Sequence, residues 1–458
     1  MSGRRKNWPT VGCKHKPNSF HYLDTPCGRL RGLRKQDHFE FKGVPFAYAD
    51  RWEDPQVVEH WEGVYDATGP GAHCCQYLQF YSHYEDPLNA FYNEQYADKE
   101  LYRYSERDGL NLNIWTPEGA KDLPVAVFFH GGSFKTGGNS TGNINEGAGY
   151  CRRGVILVSA NYRLNAFATA WDGCHHRGNY AIKDQIAALT WVRNNIAAFG
   201  GDPSRVTIMG ESAGAMSVQL LLYTPYARGL FRGAVMISGG GDLTGRGIPA
   251  DPKWSREIWK TVLRRYGARE LGELTRLEAK EIFDAWTDAC KISPEWASYG
   301  AYPVLDGDVI PDHPAKLRAN GAVADVPCII GITGRDLIPE ILHNAALDWA
   351  AYHAENGRSP VYGYYMERPA PGDDAGAYHG CDLWYAFGTL GRSWRPYTET
   401  DWRLSDVMLD YFAGFIRDGA PHGAGLPEWT PMTDGRNYFL RFSEAPPEMF
   451  CPAVRSTP

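Results

Sequence analysis

The chain has 458 residues, 43% hydrophobic and 22% charged, a globular composition that excludes a disordered or fibrous protein. Lys and Arg number 47 against 54 Asp and Glu, a formal net charge of −7, so the balance forces no basic face and argues against nucleic acid as a partner. Aromatic residues reach 13%, enough for core packing and for an aromatic-lined pocket.

The N-terminal stretch MSGRRKNWPTVGCKHKPNSF carries early positive charge with no apolar run behind it, so it does not read as a secretory signal. Segment 1–24 receives no structural assignment. The longest apolar runs, such as Val125 to Phe129, are too short to span a bilayer, and no membrane partner is expected. Ten cysteines without a CxxC pair read as reduced thiols of a cytoplasmic protein. No repeat, heptad or Ser/Pro-rich linker divides the chain, so residues 1–458 are expected to form one domain.

In chain order, continuously apolar runs predict strands at Val125 to Phe129, Val155 to Ser159, Val206 to Met209, Gly233 to Ile237 and Cys328 to Ile332. Runs of this kind suit strands covered on both faces, as in a parallel sheet. Between them, Ile182, Ile186, Leu189, Val192, Ile196 and Phe199 fall on one face of a helix over 181–199, which Gly200 and Gly201 end. Strands alternating with helices predict an α/β fold with a mainly parallel sheet. Ligands of such sheets bind beyond the carboxyl ends of the strands, so the turns there carry the chemistry.

Two of those turns are informative. After VTIM comes Gly210-Glu211-Ser212-Ala213-Gly214, a G-x-S-x-G followed by the helical AMSVQLLLY. A turn this sharp needs glycine at its flanks and lifts the serine hydroxyl clear of the sheet, which makes Ser212 the candidate nucleophile. Gly138-Asn139-Ser140-Thr141-Gly142 matches the same pattern without a strand before it or an apolar helix after it, so Ser140 reads as a loop serine. After VAVFF stands His130-Gly131-Gly132-Ser133-Phe134, whose small residues let backbone N–H groups approach a developing oxyanion to about 3 Å. The N–H of Ala213 would complete that donor set.

The segments FKGVPFA at Phe41, LNLNIWTP at Leu110, HGGSF at His130 and NYRLNAF at Asn161, with GNYAIKDQIAALTWVRNNIAAFGGDP at Gly178 and VTIMGESAGA at Val206, resemble the type B carboxylesterases. These form the cholinesterase-like branch of the α/β-hydrolases. The resemblance runs from about Thr25 to Phe442. It implies the α/β-hydrolase fold, a small-molecule ester substrate, hydrolysis through an acyl-enzyme, and oxyanion donors at Gly132, Ser133 and Ala213. It also implies an early disulfide in secreted members. Here Cys74-Cys75-Gln76 is present but Asp108-Gly109-Leu110 lacks the second cysteine, so that bridge is not expected.

The hydrolase order places an acid and then a histidine after the serine. His379 lies in the small-residue loop Gly376 to Gly380 after the strand-like VYGYYM, and the following DLWYAFG resembles the family's segment after its base. His343 lies in a helical stretch and reads as a helix-surface residue. Counting from Gly331 by the family's register puts the acid on Asp336, with Glu340 as its rival. An ordinary imidazole would give a rate rising through a pKa of roughly 6.5. Phe134, Trp171, Trp384 and Trp394 fall near motif loops and are candidate pocket residues. His175 and His176 are adjacent rather than i, i+4, and neither HExxH nor a phosphate loop occurs, so no metal or cofactor is expected. The other readings are an inactive cholinesterase-like binding module and an amide, carbamate or lactone hydrolase using the same triad. A lost activity would show as a replaced Ser, His or oxyanion glycine, and none is replaced. The oligomeric state is left open.

Overall fold

The computed structural model describes residues 19–76, 103–141, 144–170, 178–242, 248–432 and 438–451. The strands are β1 (Ser19–Thr25), β2 (Gly28–Arg34), β3 (His38–Pro45), β4 (Ala47–Tyr48), β5 (Gln56–Val57), β6 (Val64–Asp66), β7 (Asn111–Pro117) and β8 (Leu123–Phe129). They continue with β9 (Ile156–Ala160), β10 (Gly201–Glu211), β11 (Gly233–Ile237), β12 (Cys328–Thr333), β13 (Val361–Met366), β14 (Phe439–Phe442) and β15 (Glu448–Phe450). Thirteen of them form one sheet in the order β1-β2-β3-β7-β9-β8-β10-β11-β12-β13-β14-β15, with β6 beside β2. From β9 to β14 every neighbouring pair is parallel, while β1, β2, β3 and β7 enter antiparallel at one edge. This is the expected doubly covered α/β sheet.

Side-chain alternation shows why the central runs are continuously apolar. Val125, Val127 and Phe129 of β8 enter one core, and Ala126 and Phe128 enter the other. In β12, Cys328, Ile330 and Ile332 face the first core and Ile329 the second. A strand buried on both faces leaves few positions for a polar side chain.

Among the helices that shape the site are α1 (Tyr180–Asn195), α2 (Ala213–Tyr223), α3 (Pro339–Glu355), α4 (Asp382–Ala386) and α5 (Glu399–Asp418). The stretch predicted as one helix over 181–199 tightens at its end into a 3₁₀ turn, Ile196–Phe199, closed by Gly200 at φ 82°. A last turn of this kind satisfies terminal carbonyls by i→i+3 bonds.

Two motif segments distant in sequence meet inside this frame. The guanidinium of Arg163 donates to Asp184 at 2.9 and 2.7 Å, the Arg163 N–H donates to the same carboxylate at 2.9 Å, and the Tyr180 ring lies 4.6 Å from the guanidinium carbon. Both side chains are essentially sealed from water, at 6% and 0% exposure. Elsewhere, a Cβ built on Gly109, in the segment that lacks a cysteine, would stand 2.8 Å from Cys74 Sγ. No helix among the described residues is long and apolar enough to cross a membrane.

Because Asp184 neutralises a buried guanidinium, Asp184→Asn should lower unfolding free energy by about 3–5 kcal/mol in denaturant titrations. A loss below about 1 kcal/mol, the range of exposed pairs, would contradict this role.

Candidate active site

Strand β10 ends at Glu211 and α2 begins at Ala213, which leaves Ser212 alone in the turn at φ 52°, ψ −119°. A non-glycine residue held there costs of order 1–3 kcal/mol and persists only where its surroundings enforce it. The enforcement is visible. Ser212 N–H donates to the Ile237 carbonyl at 2.8 Å, and the Ser212 carbonyl accepts from Met216 N–H at 2.9 Å. A Cβ at Gly210 would stand 2.2 Å from the Gly214 carbonyl oxygen, and one at Gly214 would stand 2.0 Å from the Phe129 carbonyl oxygen. The two glycines of the motif are therefore contact requirements as well as turn formers. Ser140, by contrast, accepts from Asn113 Nδ2 and donates to Asn139 Oδ1, both at 3.0 Å, inside an asparagine-rich turn.

The His130 to Phe134 loop packs directly on this elbow. A Cβ on Gly131 would lie 2.2 Å from Glu211 Oε2 and 3.1 Å from Ser212 Cβ. Gly132, Ser133 and Phe134 run at φ 104°, 56° and 58°. Lys135 and Thr136 N–H groups return to the Gly132 carbonyl at 2.9 and 3.1 Å, whereas among the described residues no backbone bond uses the N–H of Gly132 or Ser133. Ala213, at the first position of α2, likewise has no intrahelical acceptor. His130 anchors the loop. Its ring stacks on Tyr162 at 4.4 Å, Tyr162 OH donates to the His130 carbonyl at 2.6 Å, and burial lowers the imidazole pKa to about 4. Phe134 is wholly buried, edge-on to Tyr162 and Tyr302, and buttresses the loop.

The acid and base candidates leave the next strand ends. Beyond β12, Asp336 accepts from Thr333 Oγ1 at 2.9 Å and Leu337 N–H at 2.8 Å. Beyond β13, the loop to His379 brings Nδ1 to 2.7 Å from Asp336 Oδ1. Nε2 lies 3.2 Å from Glu211 Oε1, one residue from Ser212. Burial alone would raise the Asp336 pKa, but the His379 charge and the hydrogen bonds from His379 and Thr333 hold it at about 2. Burial alone would lower that of His379; Asp336 and, behind it, Glu211 raise it instead to about 9. Glu211 is itself raised, to about 8, by desolvation. Asp382, buried at the start of α4 and accepting from Tyr364 OH at 2.8 Å, adds a further carboxyl held at about 6 by burial. The ordinary imidazole value of the sequence reading is thus displaced upward.

Glu340, the rival acid, is exposed in the first turn of α3, where Pro339 starts the helix and turns it outward. His343 corrects the surface expectation, since it is buried on α3 with its Nδ1 2.9 Å from Tyr365 OH. Trp384 is 1% exposed inside the second core, and Trp394 is 59% exposed with the Arg395 guanidinium over its ring. Their nearness to motif loops in sequence becomes packing behind the site in one case and surface in the other. Trp171, His175 and His176 lie outside the described residues. Among the described residues no cluster of three His, Cys, Asp or Glu could hold a metal ion. Glu211 is the site residue that sequence reasoning missed. Its signal was present, as a carboxylate immediately before the serine in a motif whose middle positions were treated as filler.

The profile of the carboxylesterase family matches residues 20–342 and 335–451. The chain is 35% identical over 322 residues to para-nitrobenzyl esterase of Bacillus subtilis, covering 68% of this chain and 62% of that relative. It is 30% identical over 492 residues to human cocaine esterase, covering 89% and 84%. A solved structure of a thermophilic PNB esterase superposes with a TM-score of 0.81 at 25% identity, covering 94% of this chain and 98% of that one. With its parallel sheet, its serine elbow and these matches, the chain belongs to the carboxylesterase family and has the α/β-hydrolase fold.

Proposed function

We propose that the protein is a serine carboxylesterase acting on small-molecule carboxylic esters through a Ser212–His379–Asp336 triad. The observation that carries this reading is the buried 2.7 Å contact of His379 Nδ1 with Asp336, its other ring nitrogen lying 3.2 Å from Glu211 Oε1, the residue before the strained Ser212. Ser212 Oγ attacks the ester carbonyl while neutral His379 takes its proton. The carbonyl oxygen, now anionic, accepts from the N–H groups of Gly132, Ser133 and Ala213. His379 then returns the proton to the alcohol as the C–O bond breaks, leaving the acyl group on Ser212. Water, deprotonated by the same imidazole, releases the carboxylic acid and restores the serine. Asp336 holds the Nδ1–H tautomer and stabilises the imidazolium throughout. Glu211 supplies a second negative neighbour, which keeps the proton on His379 to higher pH.

Against p-nitrophenyl esters, Ser212→Ala should abolish turnover and Asp336→Asn should lower kcat by at least about 10²-fold, given the roughly 10⁴-fold loss for the same change in a serine protease. Glu340→Gln should stay within about tenfold of the parent. Turnover surviving Ser212→Ala, or a crippled Glu340→Gln beside a normal Asp336→Asn, would refute the assignment.

The pH dependence carries a sign. The base works unprotonated, so the rate should rise with pH through an apparent pKa above the ordinary value of roughly 6.5, shared by the coupled His379–Glu211 pair. Glu211→Gln removes one anion that favours imidazolium and should move that rising limb to lower pH. A limb that stays put or moves upward would contradict the proposed coupling.

A further inference from the structure

His379 is carried by an irregular loop running from the end of β13 at Met366, so its imidazole is only as well placed as that loop is held. One restraint comes from the acid's own turn: Arg335 N–H donates to the Ala377 carbonyl at 2.8 Å and its guanidinium to the Asp374 carbonyl at 2.7 Å, from an exposed position. The opposite restraint is buried. Arg395, between α4 and α5, has 0% side-chain exposure. Its guanidinium grips Asp373 with both terminal nitrogens, at 2.7 and 3.0 Å, and donates to the Pro371 carbonyl at 3.0 Å. Its guanidinium carbon also lies over the ring of Tyr378, the residue before His379, 4.9 Å from the ring centre. A planar fork that pairs two-fold with a carboxylate and stacks on an aromatic face fixes orientation as well as distance.

We propose that Arg395 is a positioning residue for His379: by pairing with Asp373 and stacking on Tyr378, it sets the loop that presents the imidazole to Asp336. The proposal rests on the reading of His379 as the general base. Misplacing a catalytic group by about 1 Å costs on the order of 10²-fold in rate. Arg395 reaches the base rather than the ester, so the loss belongs in kcat.

The test compares the parent with Arg395→Met, Asp373→Asn and the double variant, all checked for native melting, using p-nitrophenyl butyrate. Arg395→Met should lower kcat by about 10–100-fold with KM within about twofold. Arg395→Lys, which keeps the charge and loses the fork, should recover only part of the loss. The double variant should be no worse than Arg395→Met alone, because the two side chains act as one unit. A folded Arg395→Met with kcat within about threefold of the parent, a loss confined to KM, or single losses that multiply in the double variant would each overturn the proposal. Should Arg395→Met fail to fold, Asp373→Asn decides alone, since that carboxylate is one-third exposed and its replacement leaves the arginine its Pro371 contact. A fall in kcat of about threefold or more supports the clamp and an unchanged kcat refutes it. Ser212→Ala, measured alongside, separates this outcome from the esterase reading: turnover in that variant would remove the base's role whatever Arg395 does.

Discussion

The hydrogen bond between Asp336 and His379 is the contact on which the site depends, because neither partner can find water instead. Asp336 has no exposed side-chain surface and the histidine very little. An unpaired ion in such a place is costly, so the pair forms as a unit or the surrounding loops rearrange. That demand explains much of the local architecture. Thr333 and Leu337 hold the carboxylate from below. Arg335 and Arg395 hold the histidine loop from two sides. The parallel pairing of β12 with β13, in register from Cys328 with Val361 to Thr333 with Met366, brings the two loops out side by side. Glu211 raises the stakes, since a second buried carboxyl beside the imidazole makes proton sharing a property of the group.

The strained serine depends on a different part of the sheet. Its conformation is enforced by backbone contacts to β8 and β11 on either side, which is why the motif could be read only with its flanking strand and helix. The bare pattern at Ser140 lacks those neighbours and ends as a hydrogen-bonded turn.

What was legible in the sequence follows from this physics. Strand positions that enter a core on either face are mostly apolar, so β8, β11 and Cys328 to Ile332 of β12 stand out as uninterrupted runs. Glycines that meet a carbonyl at contact distance cannot be replaced, so the elbow and its donor loop left a pattern. The acid's register, counted from Gly331, leads to the carboxylate that touches His379, because Pro339 sends Glu340 into the exposed first turn of α3. Less was legible where the determinant is three-dimensional. Nothing in PEILHNAALDW distinguishes a buried His343 from a surface one, since the partner Tyr365 comes from another strand. Arg395 pairs across 22 residues with Asp373, and no periodicity marks such a contact. Trp384 and Trp394 show the same limit: proximity along the chain says little about which environment a large ring occupies.

The central claim is that the elbow serine, the donor loop and the buried pair act on one tetrahedral centre. The most direct measurement is a crystal structure of the protein after reaction with a p-nitrophenyl phosphonate. The account predicts phosphorus bonded to Ser212 Oγ. The phosphoryl oxygen should lie about 2.7–3.1 Å from the N–H groups of Gly132, Ser133 and Ala213, the reach an oxyanion hole requires, with His379 still paired to Asp336. An adduct on Ser140, or one on Ser212 whose phosphoryl oxygen faces away from those three donors, would contradict it.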